Sequence, residues 1–367
     1  MHSIWYIPEL LEAICDFLGI SDVAAMASVC RTFWWTAMPY VWRNINTFYK
    51  LMQLLPEDAL STIHDIARRL NDSDWARFLT HSKYTKKLCV IIADETSEDY
   101  LQLLPHLPST PLLPNLESAE LEISRISESP NLGFMSLFLA RTLSEKIKLP
   151  PLKSFSIRGS TSSADQMEER LSQLLRSQQG LQAVNIDFGS GSQILEILHS
   201  TGQLLHLRHL SLRTIYSYCQ FEQAPRLLFQ ELETLKLEGP PFFIHAVLDC
   251  VGSGNMRSVK LLVNNRRFGE GNAAEYGILL TSCLVSIGRF VRLKTLDLQS
   301  GIPVSTNLLD HVLTCENLEN LRLVGAYLDP LETEESRHRR MAMAWPRLTT
   351  LELQRPTTFE ESSSAAS

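Results

Sequence analysis

The sequence predicts an α/β chain: a short three-helix head, then a repetitive body in which parallel strands form a curved inner sheet with helices outside. Three observations predict it. A unit of the form L-x-x-L-x-L, with other apolar residues substituting for leucine and a degenerate first copy Thr85/Leu88/Val90, recurs ten times between residues 85 and 353. Apolar patterns of helical period lie between those units. Of 30 Phe, Trp and Tyr residues, ten fall in the first 50 positions, together with four of the six tryptophans.

Residues 7–45 read as three short helices. Pro8 suits a first helical turn, where its missing N–H costs nothing, and Leu10, Leu11, Ile14, Phe17 and Leu18 follow along one helical face. Gly19 ends that helix, and Ser21 is placed to cap the next, which carries Val23, Met26, Ala27, Val29 and Cys30. A third stretch with Phe33, Trp34 and Ala37 is expected to stop before Pro39, and Trp42 lies in the exit segment. A unit this small sits near the limit of roughly 40 residues below which folding usually needs disulfides, metal or association. Large apolar residues surround its helices, so part of that surface is expected to meet either another protein or the body of its own chain.

Residues 51–81 form a helical connector. Pro56-Glu57-Asp58 begins an acidic helix start with Leu60, Ile63, Ile66, Ala67 and Leu70 on one face. Asn71-Asp72-Ser73 breaks it and caps a second helix holding Trp75, Phe78 and Leu79.

The ten units begin at residues 85, 116, 152, 181, 207, 232, 256, 293, 318 and 348, at intervals of 24 to 37 residues. Offsets of three and five residues fall at roughly 300° and 140° on a helical wheel, which is not one face, whereas on a strand the last two apolar positions share a face. Each unit therefore reads as a turn leading into a short strand. Between them, Met167/Leu171/Leu174/Leu175, Ile194/Leu195/Leu198 and Tyr276/Leu279/Leu280/Cys283/Leu284 have helical spacing. Strand, helix and strand again imply parallel strands joined by right-handed crossovers.

Composition excludes several function classes. There are 34 basic against 41 acidic side chains, a net charge of −7; a phosphate-neutralising nucleic-acid binder has the opposite balance. The uncharged run Tyr276 to Gly288 has 13 residues, short of the ~18 needed to span a bilayer. Glu9, Glu12 and Asp16 interrupt the first apolar stretch, with neither a basic leader nor a cleavage site before it, so the expectation is no membrane and a cytoplasmic or nuclear location. Seven cysteines without a C-x-x-C read as reduced, mostly buried thiols.

Catalytic and metal signatures are weak. Gly189-Ser190-Gly191, Gly252-Ser253-Gly254 and Gly269-Glu270-Gly271 lack the third glycine or the Gly-Lys-Ser/Thr that a nucleotide loop needs. His206 and His209 have no further ligand nearby. The run Arg337-His338-Arg339-Arg340 is balanced by Glu332, Glu334 and Glu335 and reads as a solvated insertion. The chain is expected to be no enzyme and to hold no cofactor. A binding surface remains: the middle outward residues of the units run Cys89, Glu120, Ser156, Asn185, Ser211, Lys236, Lys260, Asp297, Arg322 and Glu352. With Arg213 beside that column, Arg213, Lys236, Lys260 and Arg322 form a candidate basic patch for an acidic client, with solubilising charge as the bland alternative.

Ile7-Pro8-Glu9-Leu10-Leu11, Ile14, Leu18, Val29-Cys30-Arg31, Phe33, Pro39 and Trp42 together resemble the F-box motif in order and spacing, with Ile-Pro replacing the usual Leu-Pro and Phe33 standing where Trp is more common. The resemblance covers about 40 residues. It implies a domain over residues 1–50 that docks on the Skp adaptor, and through it a cullin-RING scaffold, by Ile7, Pro8, Leu10, Leu11, Ile14, Leu18, Val23, Val29, Cys30, Phe33 and Trp42. Residues 82–356 resemble the leucine-rich repeat family, although only Asn264 occupies the Asn or Cys position expected after each strand. Residues 357–367 read as a disordered tail. The combined expectation is a substrate-recognition subunit of a Skp-cullin-F-box ubiquitin ligase whose repeats hold an unknown protein client. The alternative is a non-catalytic leucine-rich-repeat scaffold or inhibitor.

Overall fold

The computed structural model describes residues 7–57, 70–92, 108, 110–123, 150–159, 164–188, 194–214, 227–264, 273–327 and 334–354. They belong to two compact units, Met1–Leu181 and Gln182–Ser367.

The first unit opens with helices α1 (Pro8–Phe17), α2 (Ile20–Ala27) and α3 (Arg31–Val41). They close around Leu11, Cys15, Val23, Ala27, Ala37 and Met38, all buried. Two local expectations are corrected. Gly19, not Ser21, is the N-cap of α2, and it caps without a side-chain bond. Helix α3 continues through Pro39 to Val41, because Ala37 and Met38 are buried in the head and Trp42 N–H still reaches Met38 O at 3.1 Å. With only two helical residues after it, Pro39 disturbs the last turn rather than the helix interior, where its cost would be ~3 kcal/mol.

A short helix α4 (Tyr49–Met52) follows, and α5 (Asp72–Ser82) starts at the expected place. Asn71 Oδ1 accepts from the Ser73 and Asp74 amides while the Asp74 carboxylate accepts from Asn71 N–H, a closed capping box. Trp75 and Phe78 are buried edge-to-face, with centroids 5.2 Å apart. The first connector helix expected around Leu60–Ala67 lies outside the described residues.

Strands β1 (Asn44–Ile45), β2 (Lys87–Ile92), β3 (Ser118–Ile123) and β4 (Ser154–Arg158) pair in parallel, in sequence order. The sheet thus begins inside the head. The Lys86 and Lys87 amides both bond Arg43 O at 2.9 Å, and the pattern repeats one rung later, where the Glu117 and Ser118 amides bond Lys86 O. Structurally, Trp42–Ile45 is a rung preceding the first recognisable repeat. Helix α6 (Ala164–Ser177) ends this unit, burying Leu171, Leu174 and Leu175 as its period requires.

The second unit holds β5 (Ala183–Phe188), α7 (Ile194–Gly202), β6 (His209–Thr214), β7 (Leu227–Leu228), β8 (Thr234–Gly239), α8 (Pro241–Cys250), β9 (Val251–Gly252), β10 (Ser258–Val263) and α9 (Ala273–Ile287). It continues with β11 (Thr295–Ser305), a 3₁₀ turn (Thr306–Val312), β12 (Asn320–Tyr327), α10 (Glu334–Ala344) and β13 (Thr350–Gln354). Strands β5, β6, β8, β10, β11, β12 and β13 run parallel, each in register with the next, and β7 and β9 form a separate small pair. This is leucine-rich-repeat architecture: parallel strands with the consensus leucines aligned.

Alignment follows from burial. Leu210, Leu235, Val259, Leu296 and Leu321 stand on successive strands, all at 1% exposure or less. Each buried side chain of this kind contributes ~1.5–3 kcal/mol, and slipping a strand by one residue would expose its whole set. The last unit departs from the pattern: Leu351 is 37% exposed and neither Leu348 nor Leu353 is buried, since β13 has a paired strand on only one side.

Asparagine side chains do bond the turn backbone, although the near absence of Asn after the strands argues against such a ladder. The amide of Asn115 donates to Lys83 O at 2.6 Å, that of Asn255 to Gln230 O at 2.8 Å and that of Asn317 to Val291 O at 2.9 Å. Each of these residues immediately precedes the first apolar residue of its unit, Leu116, Met256 or Leu318, in the turn before the strand rather than after it. Arg292 and Arg347 extend the ladder by donating to Asn255 and Asn317 Oδ1 at 2.8 and 3.1 Å. Turn carbonyls that the sheet leaves unpaired are satisfied in this way.

Candidate functional site

Two surfaces hold the sequence-predicted site residues. In the head, α1 carries adjacent apolar stripes. Leu11 and Cys15, one turn apart, face inward and are buried. Ile7, Leu10, Ile14, Phe17 and Leu18 stack three and four residues apart on the neighbouring face. Ile7 is 43% exposed, Leu10 41% and Phe17 91%.

The eleven residues expected to dock on the Skp adaptor therefore divide. Leu11 and Val23 build the head core. Ile7, Pro8, Leu10, Leu18 and Val29 are exposed, and Ile14, Cys30, Phe33 and Trp42 are half-buried. The Trp42 ring lies 4.9 Å from that of His81 on α5, so it seats the head on the connector. Phe17, Ile20 and Trp35 are exposed apolar residues that are not among the expected docking residues. Phe17 follows Leu10 by seven residues on the same face.

In the second unit, the outward column runs Asn185, Ser211, Lys236, Lys260, Asp297, Arg322 and Glu352 across consecutive strands, each opposite the next. The four cations do not stand there as free positive charge. Lys260 Nζ lies 2.9 Å from Asp297 Oδ2, and Arg322 Nη1 lies 3.9 Å from the same oxygen. Arg322 Nε is 3.0 Å from Glu352 Oε2, a close ion pair whose N–H is not aligned as a hydrogen bond. Arg213 bridges Asp187 at 3.5 Å and Glu238 at 3.0 Å. Lys236 alone of the four has no carboxylate partner among the described residues. The face thus carries mostly paired charge, with Lys236 opposite Lys260 and without a carboxylate among the described residues. Among the described middle residues of the first unit, Glu120 is held by Lys87 at 3.3 Å and Arg158 at 3.2 Å.

The weak chemical signatures resolve into structure. His206 Nδ1 sits 3.4 Å from Glu231, and His209 is exposed at the start of β6. No group of three or more metal-ligating side chains occurs among the described residues. Gly252 pairs in β9 while Ser253 Oγ donates to Leu232 O, which makes that glycine-serine-glycine a turn; the other two lie outside the described residues. Arg340 of the basic run is paired with Asp310 at 2.8 Å. Burial pushes the thiols away from reactivity: Cys283 is raised strongly, Cys315 is raised to about 11, and their sulfurs contact Pro241 O and Ile287 O. No helix among the described residues is long and apolar enough to cross a membrane.

The chain matches no protein-family model and no curated protein. Among solved structures it is similar to a structural-genomics target protein of Bacteroides fragilis, with 12% identity and a TM-score of 0.36 over 73% of this chain and 76% of that one. It is also similar to an LRR protein of Leptospira interrogans, with 14% identity and a TM-score of 0.32 over 77% and 81%. A third likeness is to an internalin of Listeria monocytogenes, with 11% identity and a TM-score of 0.31 over 86% and 69%.

Proposed function

We infer that this chain is a non-catalytic adaptor: its head docks on a Skp adaptor within a cullin-RING ubiquitin ligase, and its repeats hold a protein client. The observation that carries the reading is the stripe of exposed Ile7, Leu10, Phe17 and Leu18 with half-buried Ile14, beside the buried pair Leu11 and Cys15. The apolar arc of α1 is wider than the head covers, and its exposed part includes residues of the F-box resemblance. Aliphatic and aromatic side chains gathered at one face are the composition of an interface core. Such an adaptor acts by positioning, raising the local concentration of a client lysine near activated ubiquitin.

The test is co-purification of the full chain with a Skp adaptor. Leu10→Asp with Val29→Asp changes exposed residues, so the fold is expected to survive while adaptor recovery falls at least about tenfold. Recovery equal to wild type would remove the basis of the reading. Leu11 is unsuitable as a probe, because a charge at a fully buried site would unfold the head and imitate lost binding.

A further inference from the structure

In the first unit, a cavity of about 880 Å³ opens between α3 and the turns that precede β2, β3 and β4. Its size falls within the roughly 300–1,000 Å³ of ligand-binding clefts. Three properties set its chemistry. The first is rigidity: Pro39, Pro114, Pro150 and Pro151 line it, and their closed rings fix the backbone and offer no N–H. The second is aromatic surface from Trp35, Tyr40 and Tyr84, with Trp35 50% exposed and braced edge-on by Trp34 at 4.7 Å.

The third is charge. Arg43, Lys83, Lys86 and Lys153 face Glu12 and Glu117, an excess of two positive charges on a chain whose net charge is −7. Lys86 and Lys153 both bind Glu117, at 3.1 and 2.9 Å, and hold its carboxyl below the usual range. Arg43 and Lys83 have no carboxylate partner among the described residues, and Lys83 Nζ lies 4.9 Å from the Tyr84 ring. Burial and the neighbouring Asp16, Glu12 and Cys15 raise the Tyr40 hydroxyl, so it stays a neutral donor.

We propose that this cleft binds an acidic peptide segment of a partner protein, with carboxylates on Arg43 and Lys83 and an apolar side chain on Trp35 and Tyr84. Spaced carboxylates suit the site better than a compact polyanion, because Glu12 and Glu117 interrupt the positive charge and would repel a dense one. Aromatic and proline walls suit an extended chain whose side chains stack in passing. The site is distinct from the stripe on α1 and does not depend on the adaptor reading.

The test uses the full-length chain and a fluorescein-labelled peptide, Glu-Asp-Glu-Phe-Glu-Asp-Leu-Glu, read by fluorescence anisotropy. Saturable binding is expected, weakening at least about tenfold in Arg43→Glu/Lys83→Glu and when sodium chloride rises from about 50 to about 500 mM. Trp35→Ala is expected to weaken it several-fold, and the matching Gln/Asn peptide to bind at least about tenfold more weakly. Should the charge-reversed variant lose its native circular dichroism, Arg43→Gln/Lys83→Gln asks the same question more gently. Absence of saturable binding, equal binding of the amide peptide, or wild-type affinity in the variants would overturn the proposal. So would complete displacement of the peptide by millimolar inorganic phosphate, which would assign the cleft to a compact anion. Leu10→Asp/Val29→Asp is expected to leave peptide affinity unchanged, which separates this site from the adaptor surface.

Discussion

Lys260 Nζ lies 2.9 Å from Asp297 Oδ2 on the adjacent strand, and Arg322 approaches the same oxygen at 3.9 Å from the other side. One carboxylate thus separates two cations that would otherwise face each other across the sheet. Asp297 also accepts from Gln299 Nε2 and is largely covered. Asp297→Ala is expected to cost ~1–3 kcal/mol in urea denaturation. Lys236→Ala, which breaks no pair, is expected to stay within ~0.5 kcal/mol.

The turn asparagines give a second contrast. Asn255→Ala and Asn317→Ala each leave a carbonyl of the preceding repeat and an arginine without a partner. Each is expected to cost ~1–2 kcal/mol by chemical denaturation. Asn264→Ala, at the position after the strand where the leucine-rich-repeat pattern places Asn or Cys, removes no side-chain bond of the described residues and is expected to be nearly silent.

Gly288 shows where backbone approach matters. A Cβ built there would stand 2.3 Å from His311 O, whereas one at Gly254 would meet nothing within 4 Å. Gly288→Ala is expected to lose more than ~2 kcal/mol, because a carbonyl cannot swing aside as a side-chain end can. Gly254→Ala is expected to leave the urea midpoint unchanged within error.

The thiols can be read chemically. With a thiolate-selective reagent near neutral pH, Cys283 and Cys315 are expected to react only on unfolding, since burial raises both. Modification of either in the native protein, resolved by peptide mapping, would contradict their placement in the core.

Glu117 sets the sign of one pH effect. Hydrogen bonds from Lys153 and Lys86 lower its folded pKa, so its contribution is full above the unfolded value of ~4.3 and disappears as pH falls through the folded one. Because the pair is half-exposed, the effect is expected to be under ~1 kcal/mol. Glu117→Gln should lower stability at neutral pH by up to that amount, change little below the folded pKa, and so flatten the acid side of the stability profile.

Much of this fold was legible in the sequence because the repeat leaves few solutions. A period of two within each unit and a helical period between units identify Leu235 and Leu237 as inward and Lys236 as outward, and their burial agrees. Helix Ala273–Ile287 and the cap at Asn71 follow from equally local rules. The features that local rules missed are those that depend on a neighbour in space. Pro39 stays helical because Ala37 and Met38 are packed, and the ladder stands before the strand because that is where the preceding repeat presents free carbonyls.

The sequence by itself determined which residues line the strands, since hydrophobic spacing and strand geometry are properties of a chain segment alone. Tertiary structure decided what the charges do. Arg213, Lys260 and Arg322 look like one basic patch when read along the chain, yet register places a carboxylate of the next strand within reach of each. Pairing across strands is set by distance in space, which spacing in sequence does not contain.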